Sequence, residues 1–157
     1  MSQRQPVHDD VDEIVAAWRR ERPDLDPEPL HVFSRLSRLA RRLDLDRATA
    51  FGDHGIDGWE FDVLSALRRA GDPYELSPGR LLRETLVTSG TMTTRIDKLV
   101  ARGLVSKNRS PHDGRAVEVR LRPDGVARVD AAMERLLEAE RELLGPLAAA
   151  ALGREQP

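Results

Sequence analysis

The 157-residue chain contains no cysteine. Disulfide bonds, thiolate-bound metals and thiol redox switches are therefore excluded. Only 4% of the residues are aromatic, and no apolar run approaches the roughly 20 residues that span a bilayer. Charged residues make up 33% of the chain and the mean hydropathy is −0.50. This composition favours helices with solvated faces over a membrane protein.

Motifs of secretion and catalysis are also lacking. The N-terminal stretch MSQRQPVHDD has no apolar core of a secretory signal, so we expect a cytoplasmic protein. The four histidines are scattered, and no metal-binding H-E-x-x-H, nucleophile elbow or glycine-rich phosphate loop is present. The acidic cluster over residues 9–13 is interpreted as favourable to a helix dipole rather than as a metal site. We therefore expect no enzyme, no metal and no cofactor.

Charge is distributed unevenly along the chain. The net charge is −2, but residues 80–128 contain eleven Lys or Arg and five Asp or Glu, which gives +6. The remainder must therefore carry −8. Such asymmetry is typical of a protein that presents one basic lobe to phosphate, and we expect that lobe to associate with the nucleoid through DNA.

Residues 77–122 show the order of parts of a DNA-binding module. A short helix that begins at Ser77-Pro78 is followed by a Thr/Ser-rich helix, and then by a ribbon with a charged tip. The sequence thus predicts a mainly α winged helix-turn-helix with a two-stranded β-wing and with dimerisation helices at both ends. The expected single domain covers residues 1–157, with a DNA-binding lobe over 57–122.

The Thr/Ser-rich helix has two contrasting faces. Four apolar residues recur at helical spacing and are expected to face the core: Met92, Ile96, Leu99 and Val100. The opposite face carries hydroxyls and long cations: Thr91, Arg95, Lys98 and Arg102. Hydroxyls reach phosphates and base edges, and Arg reads guanine with two hydrogen bonds. An ordinary amphipathic surface helix is the alternative. Gly103 is expected to end the helix in a left-handed cap.

The predicted wing follows directly. Leu104 and Val105 start one strand, and alternation over residues 117–122 predicts the other. The tip between them contains Asp113 and Arg115. Asp113 repels phosphate, so we expect it to fix the Arg115 guanidinium, which enters a narrow minor groove. A plain solvated turn is the alternative. The predicted DNA-binding residues are Thr88, Ser89, Thr91, Thr94, Arg95, Lys98, Arg109, Asp113 and Arg115.

The remaining helices are predicted to form a dimer. An apolar stripe that includes Trp18 marks a first helix, and Asp26-Pro27 is expected to begin a second one. Asp57 resembles the start of a capping box that opens the third. A last long helix begins at residue 123 and is expected to break at Gly145-Pro146. Segments 9–45 and 123–150 need an apolar partner, and the simplest one is a second copy of the chain.

These motifs resemble the MarR family of winged-helix transcriptional regulators. The resemblance rests on SGTMTTRIDKLVARGLV, on Asp113-Gly114-Arg115 and on GWEFDVLSALRRAG, and it covers nearly the whole chain. It implies a dimeric repressor that binds a short palindrome in double-stranded DNA and is released by a small ligand. Some relatives sense oxidants through Cys, which this chain lacks.

The N-terminal segments AAWRRERPDLD and RLSRLARRLD look like the branch of that family that responds to urate or to tricarboxylates such as aconitate. This narrower resemblance implies an anion pocket made by a Trp, an Asp and two Arg. The best matches here are Trp18, Asp62, Arg83 and Arg95. Simple core packing is the alternative for Trp18. A ligand-released repressor, a constitutive architectural DNA-binding dimer and a winged helix that binds only proteins therefore remain open, although the +6 lobe argues against the last.

Overall fold

The computed structural model describes residues 8–85, 87–109 and 116–152, with side chains as far as residue 145. Its internal contacts divide the chain into two compact units, Met1–Leu45 and Asp46–Pro157. The first unit ends where the predicted N-terminal dimerisation segment ends. The single domain expected over residues 1–157 stays a prediction.

The first unit contains α1 (Asp10–Glu21) and the beginning of α2 (Leu30–Gly52). Asp9 caps α1 by accepting hydrogen bonds from the backbone amides of Val11 and Asp12, at 2.9 and 3.2 Å. Arg35 of α2 then donates to both Asp9 oxygens, at 2.8 and 2.9 Å. It also donates to Asp12, at 2.9 Å. One arginine therefore ties α2 to the capped start of α1, and its hydrogen bonds lower the pKa of Asp9 to about 2.

The expected start of α2 at Asp26-Pro27 is wrong by three residues. Asp26 does accept a hydrogen bond from the Glu28 amide, at 3.1 Å. However, this bond closes only a turn, because the first helical bond runs from Phe33 to the Pro29 carbonyl. Two closely spaced prolines thus form a separate turn before the helix begins at Leu30.

The second unit combines five helical segments with a small sheet in its described residues. After the end of α2 come α3 (Gly58–Arg69), β1 (Glu75–Leu76), α4 (Pro78–Thr85), α5 (Ser89–Ala101), β2 (Val105–Arg109), β3 (Val117–Leu121) and α6 (Pro123–Leu152). This mainly α winged-helix arrangement confirms the predicted fold class. None of the helices described has the length and apolar content needed to cross a membrane.

The wing is part of a three-stranded antiparallel sheet rather than a plain two-stranded ribbon, with strand order β1-β3-β2. The additional strand is only two residues long, and it pairs Glu75 with Arg120 of β3. Their side chains also form an ion pair at 2.6 Å. This edge strand joins the wing to the segment that leads into α4.

The apolar face of α5 packs against the core of the second unit. Phe51 at the end of α2 stacks on Phe61 of α3, with ring centroids 4.2 Å apart. The same cluster contains fully buried side chains from α3, α4, α5 and β3: Leu64, Leu67, Leu81, Met92, Ile96, Leu99 and Val119. The position of α5 is thereby fixed against a continuous apolar layer.

The first turn of α6 lies close to the backbone at Leu104. A Cβ atom at Gly125 would lie 2.2 Å from the Leu104 carbonyl oxygen, so only glycine fits there. At the other end, the expected break at Gly145-Pro146 is wrong, because α6 continues to Leu152. Proline removes one backbone donor, but the Ala-rich segment after it has high helix propensity and sustains the helix.

Candidate nucleic-acid interface

Both ends of α5 are fixed by local hydrogen bonds. Thr88 is the N-cap, and its hydroxyl accepts from the Thr91 amide at 3.4 Å. At the other end, Gly103 has φ +71°, and its amide donates to Val100. The Leu104 amide donates to Leu99 in the same turn. These two bonds form a Schellman motif, which confirms the predicted glycine stop and turns the chain directly into β2.

The apolar face of α5 is narrower than the sequence suggests. Met92, Ile96 and Leu99 are buried as expected. Val100 is 38% exposed, so the expectation that it faces the core is wrong. A run of two adjacent apolar residues cannot place both on one narrow stripe, because neighbouring residues on a helix diverge by about 100°.

The exposed face begins with a cluster of hydroxyls. Thr88, Ser89, Thr91 and Thr94 are all exposed. The Thr88 and Thr91 hydroxyls lie 2.9 Å apart, and the Thr94 hydroxyl donates to the Gly90 carbonyl at 3.2 Å. An oxygen that donates locally still has lone pairs facing solvent. This part of the face can therefore accept hydrogen bonds from base amino groups, and the hydroxyls can rotate to donate to phosphate.

Two cations share one aromatic ring on this face. The Arg95 guanidinium lies 5.5 Å and the Lys98 ammonium 6.0 Å from the centre of the Trp59 ring. Trp59 belongs to the first turn of α3. The ring and the helix border an open groove of about 430 Å³, which is lined by Trp59, Gly90, Thr91, Thr94, Arg95 and Lys98. The structure thus brings four of the predicted DNA-binding residues together in one place.

The cations of this face differ from their neighbours in having no acidic partner. Lys107 of β2 forms an ion pair with Asp97, and Arg120 pairs with Glu75. Within the described residues, no carboxylate lies within ion-pair distance of four other cations: Arg83, Arg95, Lys98 and Arg109. These four side chains of the basic lobe therefore carry positive charge that no described carboxylate neutralises.

Arg102 does not belong to the DNA-facing set that its spacing predicts. Its guanidinium forms an ion pair with Glu60, whose side chain is 1% exposed, and it donates to the Gly55 carbonyl at 2.6 Å. Glu60 also accepts from the Asp57 amide at 2.9 Å, which is half of the predicted capping box. Arg102 thus ties the C-terminal end of α5 to the start of α3.

The described part of the wing presents one of its predicted DNA contacts. Arg109 is exposed at the end of β2. Asp113 and Arg115 lie outside the described residues, so their predicted pairing stays a prediction.

The four residues predicted to bind an anion are distributed over both units. Trp18 belongs to the first, where it is 49% exposed. Asp62, Arg83 and Arg95 belong to the second, and within its described residues Asp62 makes no ion pair with either arginine. Asp62 and Arg83 are both exposed. The ligand set as a whole therefore stays a prediction.

Sequence reasoning did not recognise the contribution of the start of α3. From the sequence, Trp59 and Glu60 are assigned only to the start of a helix, yet Trp59 contacts the cations of α5 and Glu60 holds Arg102. A Trp followed by a Glu at the start of a helix does not by itself indicate either contact. The partners of both residues lie in α5, more than 30 residues later in the chain.

Comparison with known proteins identifies the family. A family model described as MarR family matches residues 54–116. The chain is 36% identical to the HTH-type transcriptional regulator PecS of Dickeya dadantii over 137 residues, which is 87% of this chain and 82% of that protein.

Solved structures give the same result for the fold. A mutant MarR from E. coli in complex with operator DNA matches with a TM-score of 0.63 and 22% identity, covering 83% of this chain and 97% of that one. A structure of BpsR from Bordetella bronchiseptica, which concerns regulation of its DNA binding by 6-hydroxynicotinic acid, matches with a TM-score of 0.60. It is 27% identical and covers 79% of this chain and 91% of that one.

The chain belongs to the MarR family of winged-helix transcriptional regulators. It is accordingly a DNA-binding regulator of transcription and not an enzyme.

Proposed function

We propose that this protein is a repressor that binds a short palindromic operator as a homodimer and is released by a small anionic metabolite. In this proposal α5 enters the major groove and the wing lies beside it, with Arg115 in or near the minor groove. The observation that carries the proposal is the exposed face of α5, on which Arg95 and Lys98 lie among exposed hydroxyls and have no acidic partner in the described residues.

Cations without an acidic partner and exposed hydroxyls are the groups that bind the phosphates and base edges of a DNA duplex. Phosphate contacts position a protein, whereas Arg at a base edge gives sequence specificity. A structural neighbour with 22% identity is solved with operator DNA, which supports the same use of the fold. Two copies related by a twofold axis would place their α5 helices about 34 Å apart, in successive major grooves.

Exposed apolar side chains support the homodimer. Val32 and Phe33 of α2 are each 63% exposed, and Leu36 is 58% exposed. Leu137 and Leu144 of α6 are also exposed. In a monomer these apolar side chains stay in contact with water. Burying them in a dimer interface is favourable, because it removes apolar surface from water. A second copy is the simplest cover, and light scattering at micromolar concentration should give the mass of a dimer.

An anionic effector is supported by two arginines of the second unit that have no acidic partner among the described residues. Arg83 and Arg95 offer planar guanidinium forks, which suit carboxylates or the planar urate anion. In the first unit, Trp18 borders two apolar cavities of about 340 and 330 Å³. In the structural relative BpsR, DNA binding is regulated by 6-hydroxynicotinic acid, which is an aromatic acid. An anion that binds Arg95 takes one cation from the DNA-binding face and so favours the unbound state.

A mobility-shift titration tests this proposal. The purified protein is titrated onto its own upstream DNA and onto a shuffled sequence, with and without aconitate, citrate or urate at constant ionic strength. Constant salt is essential, because added anion salts weaken any DNA complex by counterion effects. We expect specific binding that one of the three anions reverses beyond a matched chloride control. In that case, Arg83→Ala should lose the response and keep most of the DNA affinity.

A constitutive DNA-binding dimer is the second candidate. The observation that favours it is that Asp62 forms no ion pair with Arg83 or Arg95 in the described residues. An incoming anion therefore has no internal ion pair to displace there, and this route to a ligand-driven change of conformation is lacking. The same titration separates the two candidates, because a constitutive binder keeps its affinity in all three anions.

A further inference from the structure

Trp59 lies at the border between the core and the groove beside α5. It lies in the first turn of α3, is half-buried and packs against the edge of the core. Its ring forms a wall of the groove beside α5 and lies next to both the Arg95 guanidinium and the Lys98 ammonium. A ring used only to fill the core would not need its face beside two cations.

An aromatic ring restrains a cation without cancelling its charge. A carboxylate such as Asp97 neutralises its partner Lys107, and the pair then attracts phosphate weakly. A ring face instead interacts through its quadrupole and leaves the cation's full charge available. A guanidinium that stacks on a ring also keeps its N–H edges free for hydrogen bonds in its own plane. Trp59 is thus suited to orient Arg95 while leaving its base-reading edge open.

The ring is itself held in register with α5. The next residue, Glu60, is fixed by the Asp57 amide and by Arg102 at the C-terminal end of α5. The start of α3 therefore contacts α5 at two points, through Trp59 at its middle and through Glu60 at its end. This arrangement sets where the ring lies relative to Arg95.

We propose that Trp59 is a positioning residue for sequence-specific DNA recognition. It holds Arg95, and to a lesser extent Lys98, in the conformation that meets the base edges. The inference rests on the proposed function, since it requires α5 to be the helix that reads DNA. Its expected signature is a loss of discrimination between the operator and other DNA, with little change in nonspecific binding.

The test is a double-mutant cycle between Trp59→Leu and Arg95→Ala. Leucine keeps apolar packing at the core edge but removes the ring, whereas the matched variant Trp59→Phe keeps a ring face. We expect Trp59→Leu to weaken operator binding about 3- to 10-fold, as one or two cation–π contacts imply. Trp59→Phe should cost less than about 2-fold, as should Trp59→Leu in the Arg95→Ala background. Binding to shuffled DNA should change little in each variant.

Two results would overturn the proposal. Equal losses from Trp59→Leu with and without Arg95 would indicate a merely structural role, and tighter operator binding would show that the ring sequesters Arg95 away from DNA. If wild-type protein shows no preference for its upstream DNA, the proposed function itself fails instead.

A measurement on the unaltered protein covers the case in which Trp59→Leu does not fold. NMR of the Arg95 side chain should show an upfield ring-current shift from Trp59 in the free protein. We expect this shift to persist in the operator complex. Its disappearance on DNA binding would contradict a positioning role, because Arg95 would then leave the ring in order to reach the bases.

Discussion

Arg102, at the C-terminal end of α5, forms an ion pair with Glu60, a carboxylate that is almost completely buried at the start of α3. Helical spacing alone places Arg102 on the same face as Arg95 and Lys98. In the structure, Arg102 instead connects the end of α5 to the start of α3 through this ion pair. One arginine of the basic lobe is therefore structural, and two neighbouring cations remain free for DNA.

Removing Arg102 should destabilise the protein. In Arg102→Met the Glu60 carboxylate loses its charged partner and stays buried, and we expect the free energy of unfolding to fall by about 1–3 kcal/mol. Urea denaturation followed by circular dichroism measures this loss. The double variant Glu60→Gln/Arg102→Met should recover part of it, because no buried charge is left. A single Arg102→Met variant as stable as wild type would show that the pair contributes nothing.

Gly125→Ala should be more damaging than a glycine replacement elsewhere. The new methyl group would meet the Leu104 carbonyl at 2.2 Å, so the start of α6 must shift. We expect a loss of about 1–3 kcal/mol in thermal or urea unfolding, as for other overpacked sites. Gly79→Ala in α4 is the matched control, because nothing lies within 4 Å of its added Cβ. The control should be neutral or slightly stabilising, and similar losses in both variants would refute the steric argument.

The ion pair of Arg35 with the capped start of α1 should persist until the pH is strongly acidic. Hydrogen bonds from Arg35 lower the pKa of Asp9 to about 2, from an ordinary value of 3.8. Its contribution to stability is therefore fully present above about pH 4 and is lost as the pH falls towards 2. Carbon-detected NMR titration of the Asp9 carboxyl measures this pKa directly.

Arg35→Met should raise that pKa towards its ordinary value, whereas Arg38→Met should not. Arg38 provides the control because it pairs with Asp10, at 3.0 Å, rather than with Asp9. An unchanged Asp9 titration in Arg35→Met would show that the interaction is not formed in solution.

Two lysines of the second unit should contribute unequally to DNA binding. Lys98 has no acidic partner among the described residues, whereas Lys107 pairs with Asp97. Lys98→Gln should weaken binding at all sequences and lower the salt slope by about one unit, as expected for one lost phosphate contact. Lys107→Gln carries the same charge change and should have a smaller effect. Fluorescence anisotropy at several salt concentrations between about 50 and 200 mM measures the salt slopes of both variants. Equal slopes for the two variants would contradict the assignment.

Local signals in the sequence predicted much of the fold. Gly103 is a helix stop because a left-handed cap needs glycine, and the structure places it in that conformation. Asp57 and Glu60 predicted the start of α3 through a pattern that spans only four residues. Such features depend on neighbours along the chain, so a single sequence contains the whole signal.

Features that depend on distant residues were missed or misplaced. The edge strand β1 is two residues long and exists because Glu75 pairs with Arg120, 45 residues later. Arg102 and Trp59 owe their roles to partners 42 and about 40 residues away, so helical spacing predicted one as a DNA contact and gave the other no role. Periodicity shows which face of a helix is polar, but it does not show which cations on that face are already neutralised.

The role of α5 in DNA binding is tested by the affinity of Arg95→Ala for the specific upstream site. Fluorescence anisotropy at fixed salt measures it, with Arg20→Ala as the control. Arg20 is an exposed arginine of the first unit that pairs with Glu21. Its replacement by Ala removes one positive charge, as Arg95→Ala does. We expect a loss of about 1–3 kcal/mol in binding free energy for Arg95→Ala, and a comparable loss for Arg115→Ala at the predicted wing tip. Arg20→Ala should bind as wild type does. Unchanged affinity in both Arg95→Ala and Arg115→Ala would show that the DNA interface lies elsewhere on the protein.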